Sequence, residues 1–168
     1  MNRHAAASAP ADSPSLATDA RDLHRVLDEL IRVVQFRDRD RICCHDISVT
    51  QCYALRALVE EGPMGLNALA ESLFLDKSTA SRVVAALERK GYLLRRPDPR
   101  DGRAVVLEAS DAGRRLYRRI EEELVEEVAQ CAAGFDPAVR REMVGLLGRL
   151  ASAAAARVER SGGCCRLG

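Results

Sequence analysis

The sequence predicts a mainly α-helical fold with one small β-hairpin, on three observations. Leucine, valine, isoleucine and alanine recur at three- and four-residue spacing over most of the chain, which is typical of the buried face of a helix. Trp is absent and aromatic residues make up only 4% of the chain, so the core is aliphatic, which favours helices over sheets. The helical spacing fails around residues 92–107, where short alternating segments flank an Asp-Gly turn signal.

The length and composition of the chain limit the classes of protein to which it can belong. The 168 residues suffice for one compact domain or two small lobes, and 47% of them are apolar, which allows a real core. The formal net charge is only +1, so affinity for nucleic acid would have to depend on local charge. No apolar run reaches the length of a membrane span, and the N-terminus lacks the apolar centre of a signal peptide. We therefore expect a cytoplasmic protein with no membrane contact, whose cysteines are reduced at rest.

The first helix follows an N-terminal tail. Residues 1 to about 18 are rich in Ala, Ser, Pro and Asp, a composition typical of disordered segments. The apolar stripe of the first helix consists of Leu23, Val26, Leu27, Leu30, Ile31 and Val34. We expect the charged run from Arg37 to Arg41 to end this helix.

The second and third helices are shorter and are bounded by capping and breaking residues. Ser48 and Gln51 have the spacing of a capping box, so the second helix should begin near Ser48. Gly62-Pro63 should end it, because neither residue continues a helix well. A third helix spans residues 66–73 and carries leucine and alanine at the positions that face a core.

A fourth helix and a hairpin follow a tight turn at residues 74–75. Asp76 is a good N-cap, and the helix should run to about Lys90, just before a glycine that favours its end. Residues 92–96 and 104–107 then have the pattern of two short strands. The Asp-Gly pair in the loop between them favours a hairpin turn.

Two long helices close the chain. One begins near Ser110, and the other begins at Asp136-Pro137, an N-cap followed by a proline that is preorganised for the first helical turn. Like the first helix, both carry long apolar stripes, which a lobe of these three helices alone cannot bury. We therefore expect a second copy of the chain to cover them.

The order helix, tight turn, helix and hairpin over residues 66–107 is that of a winged helix-turn-helix. Residues 76–90 have an apolar inner face and a short polar outer face, which a helix needs in order to lie in the major groove of DNA. Arg82 is the best candidate to contact a guanine edge, whereas the small hydroxyl residues suit phosphates. The predicted DNA-contacting residues of this helix are Lys77, Ser78, Thr79, Ser81, Arg82 and Arg89.

Local charge supports DNA binding although the total charge does not. Residues 76–103 hold eight basic and four acidic side chains, a net charge of +4. Arg100 and Arg103 lie at the hairpin tip, where a wing can place an arginine in the adjacent minor groove. Asp101 lies between them and is expected to orient Arg103 through a charge-assisted hydrogen bond. The chain is therefore polarised, with compensating acidic residues at 121–127.

A family resemblance covers about residues 22–160 and is most specific in 66–107. The run LNALAESLFLDKSTASRVVAALERKGYLLRRPDPRDGRAVVLEASDAGRRL resembles the MarR family of bacterial regulators, above all in DKSTASRVVAALERKGYL and in the wing DPRDGR. The resemblance implies an obligate homodimer on a palindromic operator, with the first and the last two helices of each chain intertwined and with repression relieved by a small ligand. It places the base-reading positions at Ser78 to Arg82 and the wing contacts at Arg100 to Arg103.

These expectations divide the chain into a winged helix-turn-helix DNA-binding lobe and a helical dimerisation lobe. The predicted segments are a disordered tail at 1–18, a dimerisation region at 22–47 and 109–160, a DNA-binding domain at 48–108 and a flexible cysteine-containing tail at 161–168. The expected partners are double-stranded DNA, a second copy of the chain and a small inducer. We predict no enzymatic activity and no required cofactor.

Five of the six cysteines suggest a sensor. Cys43 and Cys44 lie between the first two helices, Cys52 lies in the second helix, and Cys164 and Cys165 follow a Gly-Gly pair near the C-terminus. Thiolates are soft ligands that suit Zn(II), Cu(I), Cd(II) or As(III), and the C-terminal pair could close over a site at residues 43–52. The same thiols could instead oxidise to disulfides.

Three hypotheses follow for the signal and the function. In the first, a dimeric repressor leaves DNA when its cysteines bind a soft metal or metalloid, or oxidise. In the second, the same regulator responds to a small organic, aromatic effector, as the family resemblance implies, and the cysteines are incidental. The third is a thiol oxidoreductase or metal-buffering protein, which the absence of a thioredoxin-type pattern and of a placed base disfavours.

Overall fold

The structure, a computed structural model, describes residues 14–98 and 104–161. In this part of the chain it has α1 (Pro14–Cys43), α2 (Val49–Glu60), α3 (Leu66–Ser72), α4 (Lys77–Arg89), β1 (Leu93–Pro97), β2 (Val105–Ala109), α5 (Asp111–Ala132) and α6 (Pro137–Ser161). The two strands pair antiparallel, with Leu93 opposite Ala109 and Pro97 opposite Val105. The predicted mainly helical fold with one small hairpin is confirmed.

Of the two predicted terminal tails, the structure describes only the residues next to the folded part of the chain. Because α1 begins at Pro14, residues 14–18 are helical, and their assignment to a disordered tail was wrong. Pro14 suits the first turn of a helix, where a missing amide hydrogen costs nothing. The rest of that tail, residues 1–13, and residues 162–168 of the C-terminal tail lie outside the described residues.

The charged run in α1 does not end the helix, as the sequence had suggested. α1 continues through residues 37–41 to Cys43. Arginine is itself a good helix former, and the guanidinium of Arg39 lies 4.5 Å above the ring centroid of Phe36, one turn earlier. The chain turns only after Cys43, where Asp46 adopts a left-handed φ of 59°.

The chain divides into two compact units, residues 1–40 and 41–168. In the first unit, α1 exposes the large apolar side chains of Leu16, Leu23, Val26, Leu30, Ile31, Val33 and Phe36. In the second unit, α6 exposes those of Val139, Met143, Val144, Leu146, Leu147 and Val158. Among the described residues, the apolar stripes of α1 and α6 are therefore largely exposed, and apolar surface on this scale marks an interaction site. The stripe of α5 differs from the expectation, because its Leu116 and Ile120 are buried in the core of the second unit.

The core of the second unit surrounds α2. This helix packs against α3, α4, β2 and α5, and its Leu55 and Leu58 are fully buried. Further large and fully buried side chains are Leu69, Val84, Leu87, Leu93, Leu107 and Ile120. Each such side chain contributes about 1.5–3 kcal/mol by leaving water. α2 therefore provides a direct packing connection between α4 and α5.

Side-chain caps fix the starts of α2 and α5. The predicted capping box is present, since the Gln51 amide donates to Ser48 Oγ at 3.2 Å and the Ser48 amide donates to Gln51 Oε1 at 3.3 Å. The Ser110 hydroxyl accepts from the Gly113 amide at 3.0 Å and donates to the Gly91 carbonyl at 2.7 Å. The start of α5 is thereby joined to the turn that follows α4.

Candidate nucleic-acid interface

A tight turn joins α3 to α4 and sets the angle at which α4 leaves the core. Phe74 in this turn adopts a positive φ of 53°, which is uncommon for a bulky residue. The Leu75 amide donates to the Ala70 carbonyl at 2.9 Å and closes the end of α3. On the inner face of α4, Ala80, Val84 and Leu87 are fully buried. The opposite face of α4 is therefore directed to solvent, as the apolar pattern predicted.

The predicted base-reading residues share this outer face of α4. Lys77, Ser78, Arg82 and Arg89 are exposed, and Thr79 and Ser81 are half-buried. No bulky apolar side chain lies among these six residues, so the helix can approach the floor of a groove closely. Their contact with DNA stays a prediction, but the structure gives them the common surface that such contact requires.

A chain of hydrogen bonds begins at the N-cap of α4 and ends at Arg82. Asp76 Oδ1 accepts from the Ser78 hydroxyl at 2.5 Å and the Thr79 amide at 2.8 Å, and Oδ2 accepts from the Thr79 hydroxyl at 2.6 Å. The Thr79 hydroxyl in turn accepts from Arg82 Nη2 at 2.9 Å. The donors from Ser78 and Thr79 lower the pKa of Asp76 well below its usual range. This network holds the Arg82 guanidinium in a defined position.

Replacing Asp76 by Asn should make the stability of the fold less sensitive to acid and should weaken DNA binding. The lowered pKa means that ionised Asp76 stabilises the folded state above the unfolded-state pKa, and that this contribution is lost as the pH falls toward the folded-state value. Urea unfolding at about pH 7 and about pH 3 measures the difference. We expect a smaller loss of stability between the two pH values in the variant than in the unchanged protein.

The control is Asp111→Asn, which removes an exposed carboxylate from the first turn of α5. If Asp76→Asn and Asp111→Asn lose the same stability between the two pH values, the network around Asp76 contributes nothing specific.

Ion pairs neutralise part of the positive charge that the sequence places in this region. The pairs are Arg95 with Glu88 at 3.0 Å, Arg96 with Glu108 at 2.8 Å and Lys90 with Asp46 at 3.6 Å. Among the described residues, no carboxylate is paired with Lys77, Arg82 or Arg89. Among the described cations of this region, those without a carboxylate partner therefore lie on the outer face of α4, where contact with phosphates is expected.

The tip of the predicted wing lies outside the described residues. Arg100, Asp101 and Arg103 belong to the segment 99–103 that the structure does not describe. The described base of the hairpin is closed by the Asp98 amide, which donates to the Ala104 carbonyl at 2.9 Å. The hairpin itself is thus confirmed, and the three contacts assigned to its tip stay predictions.

Comparison with known proteins identifies the family. The sequence model of the MarR family matches residues 47–105. The HTH-type transcriptional regulator YxaD of Bacillus subtilis is 34% identical over 104 residues, which cover 62% of this chain and 73% of YxaD. The HTH-type regulator ML2140 of Mycobacterium leprae is 34% identical over 106 residues, which cover 61% of this chain and 71% of ML2140.

The chain belongs to the MarR family. Members of this family are DNA-binding transcriptional regulators without enzymatic activity, so the resemblance seen in the sequence is confirmed. Membership also argues against the third hypothesis, a thiol oxidoreductase. In the described part of this MarR-type regulator, no helix is long and apolar enough to cross a membrane.

Solved structures of the family share the fold. A MarR family protein of Bacillus stearothermophilus matches with a TM-score of 0.76 at 22% identity, covering 82% of this chain and 96% of that protein. NadR, solved in complex with 4-hydroxyphenylacetate, matches with a TM-score of 0.67 at 23% identity, covering 79% of this chain and 92% of NadR. The winged helix-turn-helix assignment is confirmed by these matches.

The cysteines that the sequence grouped as a sensor differ in their exposure to solvent. Cys43, the last residue of α1, and Cys44, which follows it, are exposed, whereas Cys52 is buried in α2. Across residues 14–98 and 104–161, no three His, Cys, Asp or Glu side chains gather into a group that could hold a metal. Cys164 and Cys165 lie outside the described residues. Cys43, Cys44 and Cys52 alone therefore form no preassembled metal site.

The turn that carries Cys44 contacts both α5 and the end of α4. His45 Nε2 lies 3.1 Å from Glu123 Oε2 of α5. The ammonium group of Lys90, the C-cap of α4, donates to the main-chain carbonyl of Asp46. A displacement of this turn would therefore alter a hydrogen bond at the C-terminal end of α4.

An apolar cleft of about 270 Å³ lies against α2 and α5, and the sequence analysis did not find it. Its lining residues are Ile42, Cys52, Tyr53, Arg56, Tyr117, Ile120, Glu121, Leu124, Val125 and Val128. The signal available in the sequence was Tyr117 and Glu121, one helical turn apart beside an apolar stripe. The cleft joins an apolar wall to a polar rim, the combination typical of small-molecule sites.

Proposed function

We propose that this MarR-type regulator is a homodimeric repressor that binds a palindromic operator through α4 and the wing. The observation that carries the proposal is the outer face of α4, where no carboxylate of the described residues pairs with Lys77, Arg82 or Arg89, while the neighbouring cations are paired. Arg82 would contact a guanine edge, and the hydroxyl residues of the first turn would contact phosphates.

Dimerisation follows from the exposed apolar faces of α1 and α6. In the described part of the chain both faces expose large apolar side chains, and a second copy would bury them. A twofold axis would then place two copies of α4 in successive major grooves, roughly 34 Å apart. Sedimentation of the protein with and without operator DNA tests this arrangement, because the proposal requires two chains per operator.

The cleft beside α2 and α5 is the proposed effector site. Its volume of about 270 Å³ and its largely apolar wall suit a small organic molecule, and NadR, which shares the fold, was solved with the aromatic compound 4-hydroxyphenylacetate. A ligand between α2 and α5 would act on α4 through α2, which packs against both helices. Repression would be relieved when this displacement separates the two copies of α4 from the operator.

Cysteine sensing is the second candidate, and the position of Cys43 and Cys44 favours it. Both thiols are exposed, and the turn next to them touches α5 through His45 and α4 through Asp46. Oxidation, or binding of As(III), Zn(II), Cu(I) or Cd(II), would disturb these contacts. Cys164 and Cys165 would supply further thiols in this scheme, and Cys52 would respond from the cleft.

Replacing both Cys43 and Cys44 by Ser separates the two candidates. If an organic effector acts in the cleft, the double variant should release operator DNA at the same effector concentration as the unchanged protein, because neither thiol lines the cleft. Fluorescence anisotropy of labelled operator DNA measures the release. Cys131→Ser, which changes another exposed thiol on α5, is the control.

The opposite outcome is release from DNA that depends on Cys43 and Cys44. If arsenite or a thiol oxidant releases the unchanged protein and Cys131→Ser from DNA but leaves the double variant bound, the cysteines are the sensor and the cleft is not required for induction.

A further inference from the structure

Three polar side chains, those of Arg56, Tyr117 and Glu121, line the cleft, and Glu60 is joined to two of them by hydrogen bonds. The Tyr117 hydroxyl donates to Glu60 Oε1 at 2.5 Å, and Arg56 Nε donates to Glu60 Oε2 at 3.0 Å. Glu121 is the second carboxylate beside Tyr117 and also acts on Arg56 through its charge. We call Arg56, Glu60, Tyr117 and Glu121 the rim cluster.

The charges of the rim cluster do not balance. Arg56 forms its ion pair with Glu60, and both Tyr117 and Arg56 lower the pKa of Glu60 by hydrogen bonding to it. Burial of Tyr117 and its two neighbouring carboxylates raise the pKa of the phenol, which therefore stays protonated and neutral. Within the rim cluster, one cation thus stands against two carboxylates, which gives the cluster a net charge of −1.

The hydroxyl of Tyr117 cannot satisfy both carboxylates, because it has a single proton. Tyr117 has two carboxylate neighbours but can donate its proton to only one of them at a time, and in the structure it donates to Glu60. Glu60 thus receives both Tyr117 and Arg56, whereas among the described residues no cation forms an ion pair with Glu121. An organic anion that reached the free donors of Arg56 would lie beside Glu60 and near Glu121, where like charges repel it.

We infer that the cleft selects a small organic cation, an amine with an apolar body, with Glu121 as its counter-ion. This inference rests on the proposed role of the cleft as the effector site and names the class of effector. The apolar body would lie against Ile120, Leu124 and Val128, where it leaves water. The ammonium group would meet Glu121 at the rim, where the excess negative charge lies.

Matched probes test the sign of the charge directly. Phenylbutylamine, phenylbutyrate and phenylbutanol share one skeleton and differ in a terminal group that is cationic, anionic or neutral. Isothermal titration calorimetry with the full chain at about pH 7 should give the amine an affinity about tenfold or more above that of the carboxylate, since a charge beside a carboxylate is attracted in one case and repelled in the other. The alcohol should fall between them.

Two variants connect this preference to the rim. Glu121→Gln should bring the affinities of the amine and the carboxylate together, because it removes the excess charge with little change of shape. Glu122→Gln, which removes the neighbouring exposed carboxylate on α5, should keep the preference. Thermal unfolding of both variants verifies that each remains folded.

The outcomes distinguish the inference from the function on which it rests. If the carboxylate binds as well as the amine or better, the inference is overturned, while the cleft remains an effector site. If none of the three probes binds, the cleft is not an effector site and both statements fall. If the amine preference survives in Glu121→Gln, Glu121 is not the counter-ion and the inference is wrong in its central residue.

Discussion

Arg82→Ala should strongly reduce the preference of the protein for its operator while leaving weaker binding to unrelated DNA. A bidentate arginine–guanine contact contributes about 1–3 kcal/mol of discrimination between bases, or roughly five- to 150-fold in affinity. The structure adds that Arg82 is already positioned, because its guanidinium donates to the Thr79 hydroxyl. Little further ordering is then needed on binding, which favours the upper part of that range. Anisotropy titrations with operator DNA and with a scrambled duplex measure the ratio of affinities.

Arg119→Ala is the matched control, because Arg119 is an exposed arginine on α5. It should leave the ratio of operator to scrambled affinities unchanged. If Arg82→Ala also preserves that ratio, sequence is read elsewhere, and the assignment of Arg82 as the principal reader is wrong.

Gly113→Ala should destabilise the fold by about 2 kcal/mol, although alanine normally strengthens a helix by about 1 kcal/mol relative to glycine. A methyl group on Gly113 would overlap the carbonyl oxygen of Tyr92 and would lie 3.1 Å from its carbonyl carbon and 3.2 Å from Leu55 Cδ2. The Tyr92 carbonyl cannot retreat freely, because it also accepts from the Ser110 amide at 3.0 Å. The start of α5 would therefore have to move away from the turn after α4. Urea unfolding at equal protein concentrations measures the loss, since a dimer becomes less stable on dilution.

Gly134→Ala supplies the comparison. Nothing lies within 4 Å of the position that a methyl group would take at Gly134, so this change should alter stability by no more than about 0.5 kcal/mol. If both glycine variants unfold at the same urea concentration, the close approach at Gly113 does not limit the packing of α5.

The features that the sequence predicted well depend on neighbours along the chain. The capping box at Ser48 and Gln51 and the N-cap at Asp76 are set by residues three positions apart, and the buried face of α4 follows from its spacing alone. The end of α1 was mispredicted because charge was taken to stop a helix. Arginine is in fact compatible with a helix, and Arg39 packs on the ring of Phe36.

The features that the sequence did not predict depend on residues far apart in the chain. The Tyr117–Glu60 hydrogen bond joins residues that are 57 positions apart, and no spacing rule brings them together. The ion pairs of Lys90, Arg95 and Arg96 likewise require the packed fold. For this reason a net charge of +4 in residues 76–103 could be counted from the sequence, but the structure is needed to show that, among the described residues, the cations without acidic partners lie on α4.

The central claim is that this MarR-type regulator binds a specific operator as a dimer through α4. The most direct measurement is a footprint of the full chain on the promoter region of its own gene, repeated at several salt concentrations with excess competitor DNA. The account predicts one protected palindrome, with two half-sites about one helical turn apart, that survives competitor and is lost steeply as salt increases. Protection that spreads evenly over the DNA and disappears with competitor would contradict it.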